Sequence, residues 1–110
     1  MEFYISSSVH GESGLLSIIG RCGSQPVRPG VEFRAMLREK PRHYPDELEM
    51  PRVIEECKSI HIKVKEVEAY GRPVEVLPAN TTGVLRCSDF SVDLVPGGWI
   101  LTDQCDTADA

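Results

Sequence analysis

Residues 60–69 read IHIKVKEVEA, and this stretch decides the fold class. Ile60, Ile62 and Val64 alternate with His61, Lys63 and Lys65, the period of two that marks a strand with one buried face. After Lys65 the phase slips, because Val67 and Ala69 become the apolar positions. A bulge near Lys65 and Glu66 would absorb the extra residue and return both halves to one core face. Ile62, Val64 and, further along, Val84 are therefore expected to face the core.

The same grammar extends in both directions. Upstream, Phe3, Ile5 and Val9 fall on alternate positions of an opening strand. A second strand covers residues 15–22, where Gly20 implies a bulge or the close approach of another backbone. Turns at residues 23–26 and at Pro29-Gly30 lead to a third strand. In it Val31, Phe33, Ala35 and Leu37 share one face, and Glu32, Arg34 and Met36 the other. Downstream, Tyr70-Gly71-Arg72-Pro73 turns into a short strand at residues 74–77. Further strands are expected at 84–87, 90–95 and 99–101, the last two separated by Pro96-Gly97-Gly98. Prolines 41, 45 and 51 interrupt residues 38–57, which read as a long surface excursion with a helical turn or two from Pro51 to Cys57. Seven or so strands with closely spaced turns predict an all-β fold, a small antiparallel barrel of six to seven strands with one long surface loop.

At 110 residues the chain is sized for a single domain, read as a barrel over residues 1–103 and a short acidic, frayed tail at 104–110. Twelve basic and seventeen acidic residues give a net charge of −5, which disfavours RNA binding through the whole surface. The N-terminus carries no basic, apolar secretory signal, and no apolar run is long enough to span a membrane as a helix. A soluble, cytoplasmic protein is the expectation. Cys22, Cys57, Cys87 and Cys105 lie far apart and read as buried, inert thiols.

The blocks containing Ile18-Ile19-Gly20-Arg21, Pro29-Gly30-Val31, Thr82-Gly83-Val84-Leu85 and Gly97-Gly98-Trp99-Ile100-Leu101 resemble the β-barrel second domain of translational GTPases, the elongation factor Tu type. The resemblance spans most of residues 14–101. It implies that family's barrel and a docking role, standing alone here without the GTPase domain. No G-x-x-x-x-G-K-[ST] loop is present, so nucleotide hydrolysis is not implied.

Candidate chemistry is sparse. Gly11-Glu12-Ser13-Gly14 falls one residue short of a nucleophile elbow and lies between strands. Cys57 and His61, with His43 and Cys22 or Cys87, offer only one loose ligand pair, where structural zinc sites use close pairs. Glu55 and Glu56 beside Cys57 oppose a thiolate nucleophile. No catalytic residue, cofactor or metal is therefore assigned. The departure from the acidic background is Arg34, Arg38, Lys40, Arg42, His43 and Tyr44, a basic and aromatic cluster suited to holding an acidic group. Trp99, after two glycines, reads as core filling.

The leading expectation is a non-catalytic binding or accessory module with a protein or other macromolecular partner; a homodimer is compatible. One alternative is an RNA- or ribosome-associated module using Arg21, Arg34, Arg38, Lys40 and Arg42. Another is a small metal protein or enzyme built on Cys57 and His61.

Overall fold

The computed structural model describes residues 1–11, 14–40, 53–91 and 95–103. Seven strands appear in chain order: β1 Glu2–His10, β2 Leu16–Cys22, β3 Glu32–Glu39, β4 Ile54–Ala69, β5 Arg72–Val74, β6 Thr82–Phe90 and β7 Ile100–Thr102. All pair antiparallel, in the order β3-β7-β1-β2-β6-β4-β5, and a β3–β4 pairing closes the first six into a barrel. The fold is therefore an all-β antiparallel barrel, with β5 added at the edge of β4.

The inward residues explain why these segments form strands. Phe3, Leu16, Ile18, Phe33, Ile62, Leu85 and Leu101 are completely buried in one cluster, and Val64 and Val67 nearly so. Most of them alternate with more exposed neighbours, so pairing in register brings the inward faces together. The ladder between β4 and β6 pairs Val64 with Cys87 and Glu66 with Arg86, leaving Lys65 as the extra residue. This is the bulge that the phase slip requires, and Ile62, Val64, Val67 and Ala69 are all buried as a result.

Gly20 carries the second sequence signal. A Cβ at this position would collide with the carbonyl oxygen of Tyr4, on the neighbouring strand. Gly20 lies opposite Ile5, where the β1–β2 register shifts between Ile5 and Ser7. The close approach and the irregularity thus occur together.

Several expectations are corrected. Val84 does not point inward: it is half-buried and stands opposite Ile19, which is 37% exposed, while Leu85 beside it fills the core. In β3 the register with β4 shifts between Phe33 and Ala35. Beyond that shift Met36, opposite Leu101, joins the core cluster, whereas Ala35 and Leu37 stand opposite Thr102 and Ile100 and are buried outside that cluster. The expected single face running from Val31 to Leu37 is therefore broken by the irregularity.

The excursion expected over residues 38–57 is shorter than its prolines suggest. β3 continues through Arg38 and Glu39, and β4 begins at Ile54. Ile54, Glu55, Glu56 and Cys57 are strand residues, not the expected helical turn; their cross-strand partners on β3 override a weak local signal. Residues 41–52, including Pro41, Pro45 and Pro51, lie outside the described residues. β6 runs unbroken through Ser88 and Asp89 to Phe90, so these two polar residues do not separate strands. The short strand expected at residues 74–77 is replaced by β5, which starts two residues earlier, and by a bridge between Val27 and Leu77. The tail at residues 104–110 is also outside the described residues. No helix among the described residues is long and apolar enough to cross a membrane.

Candidate functional site on the β3–β4 ribbon

β4 is sixteen residues long and has two halves with different neighbours. From Ile62 to Glu68 it pairs with β6 in the barrel wall. From Ile54 to Ser59 it pairs with β3, from Glu39 back to Ala35. β7 reaches only as far along β3 as Leu37. The β3–β4 ribbon so formed lies beyond the β4–β6 ladder; Ala35, Met36 and Leu37 are still paired with β7, and only Arg38 and Glu39 with Ile54 to Glu56 continue past both ladders as two strands.

Cross-strand pairing on this ribbon creates a lattice of charge. Arg38 lies opposite Glu56 and bonds to it at 2.8 Å, with Glu55 at 3.6 Å. Lys58, opposite Met36, reaches the same Glu56 at 3.7 Å. Both cations also lie over the ring of Trp99, Arg38 at 5.5 Å and Lys58 at 5.2 Å from its centroid. Trp99 is nearly buried and belongs to the core cluster, so core filling is indeed its structural role. Its ring also supplies a surface against which the two cations rest. Main-chain bonds fix the residue: Ile5 N–H donates to the Trp99 carbonyl at 2.9 Å, and Gly98 N–H donates to the Ile5 carbonyl at the same distance.

At the barrel end of the ribbon, His61 meets Glu32. Nε2 of His61 lies 2.8 Å from Oε1 of Glu32. That hydrogen bond is the main reason the Glu32 carboxyl titrates below its usual range, with His61, Arg34 and Lys63 adding favourable charge. The main chain of His61 is held from the other side by Ser91. His61 N–H donates to Ser91 Oγ at 2.8 Å, and Ser91 N–H donates to the His61 carbonyl at 2.8 Å.

Of the residues singled out from sequence, Arg34, Arg38 and Lys40 fall in line on β3 and just beyond its end. Arg34 is more exposed than Arg38, with its side chain 62% accessible and Glu32 4.0 Å away. Lys40 is exposed, and its N–H donates to the Val53 carbonyl at 2.8 Å, where the ribbon's strands are still joined. Arg42, His43 and Tyr44 lie outside the described residues. Arg21 does not join them: it is on β2, over the ring of Tyr4 at 5.5 Å, and β1 and β7 separate it from β3.

The structure adds Glu55, Glu56, Lys58 and Glu32 to the cluster. Their presence was visible in the sequence, but their position opposite Arg38 and His61 was not. Once residues up to Cys57 are read as a loop or helical turn, no register connects them to β3. Strand alternation at Glu56 and Lys58 was the available signal.

The cysteine and histidine alternatives separate in space. Cys22 is buried and lies 3.6 Å from the Leu77 carbonyl, with burial pushing its thiol upward in pKa. Cys87 is fully buried and pushed up to about 12 by desolvation. Cys57 stands opposite Leu37, while the ring of His61 is engaged by Glu32. Among the described residues no group of three His, Cys, Asp or Glu side chains is placed to hold a metal ion. No family model, no curated protein and no solved structure matches the chain.

Proposed function

We propose that this protein is a binding or accessory module, without a catalytic role of its own, which presents the β3–β4 ribbon and the adjoining barrel rim to a macromolecular partner. The observation that carries this reading is the lattice of Arg38, Lys58, Glu55 and Glu56 laid over Trp99 on a ribbon whose far end continues past the barrel ladders. A barrel of this size fills its interior with side chains, so contacts with other molecules belong to its rims and loops. The sequence resemblance to the second barrel of translational GTPases supports a docking role of the same kind.

The charges favour a polypeptide partner over RNA. Arg38 and Lys58 already have carboxylate partners, and a phosphate backbone would have to displace them while approaching Glu55 and Glu56. A protein surface carrying both signs can instead exchange pairs with the lattice.

A photo-crosslinking residue at Arg34 or Lys40 of the full chain, used in native lysate, tests the reading. Discrete polypeptide adducts are expected. Excess unlabelled chain should displace them, and chain carrying Arg38→Glu and Lys58→Glu should not. Ribonuclease-sensitive adducts that weaken as salt rises would transfer the assignment to RNA. Absence of any displaceable adduct would remove both.

A further inference from the structure

We draw no further inference here: the strongest candidate, the apolar strip that Val9, Ile19 and Val84 make across the outer wall of β1, β2 and β6, carries none, because nothing in the structure shows what covers it.

Discussion

Tyr70 and Gly71 both have positive φ, 55° and 76°, in the two-residue connection between Ala69 and Arg72. Two successive positive values mark a type I′ turn, which suits the right-handed twist of a hairpin and prefers Asn-Gly. An aromatic residue is strained there, and the Tyr70 side chain gains little in return, being 87% exposed. Tyr70→Asn should therefore stabilise the fold by about 1 kcal/mol, seen as a higher denaturant midpoint at unchanged slope. At Cys87 a different residue-scale effect operates. Its thiol is neutral in both folded and unfolded chains below about pH 9. Above the ordinary value of 9.0 the unfolded chain ionises, while burial keeps the folded thiol protonated until about 12. Stability should then fall as pH rises through that window, by about 1.4 kcal/mol per pH unit for this group. Cys22, shifted in the same direction, adds to the slope. Cys87→Ala should lower stability at pH 8 but give a shallower alkaline decline, measured by urea unfolding at successive pH values.

At the scale of elements, the extra residue in β4 makes a sharp contrast available. Because Val64 pairs with Cys87 and Glu66 with Arg86, deleting Lys65 leaves both halves of the strand in register and on the same face. That deletion should retain a cooperative thermal transition, weakened only by the loss of local bend. Deleting Lys63 instead reverses the faces on one side of the cut. It drives either Ile62 or the run of Val64, Val67 and Ala69 out of the core, and should abolish the transition in a circular dichroism melt. The outer wall shows another element-scale arrangement. Arg86 donates through Nε to Glu68 and through a terminal nitrogen to Ser17 at 3.1 Å, tying β6 to the strands on either side. The same strands place Glu66 outward, where its charge adds to that of Glu68 around Arg86.

At the scale of the whole molecule, closure depends on the shortest strand in the barrel ring. β7 contributes only Ile100, Leu101 and Thr102, yet it joins β1 to β3 and completes the ring. Leu101 is fully buried and Ile100 nearly so. Ending the chain after Trp99 would remove both and expose the β1 and β3 edges together. Such a truncation should show no cooperative unfolding and should bind a hydrophobic dye. Leu101→Ala in the full chain should fold with a loss of about 2–5 kcal/mol. A truncated chain that melts like the parent would show that closure contributes little.

The amino-acid sequence by itself determined the strand class, the phase slip at Lys65, the tight approach at Gly20 and the presence of a turn at Tyr70-Gly71. Each is a local property, fixed by side-chain alternation or by the conformations a backbone permits. Pairing across distance was decided only in three dimensions. β3 accepts β4 along one side and β7 along the other, which turns residues 54–57 from an apparent loop into a strand and sets Glu56 against Arg38. The same pairing carries Met36 into the core and leaves Val84 on the outer wall. His61 and Glu32 are 29 positions apart, and no periodicity in either segment specifies their contact. Alternation states which side of a strand is apolar; the partner strand and its register decide which side becomes the inside, and which charges meet.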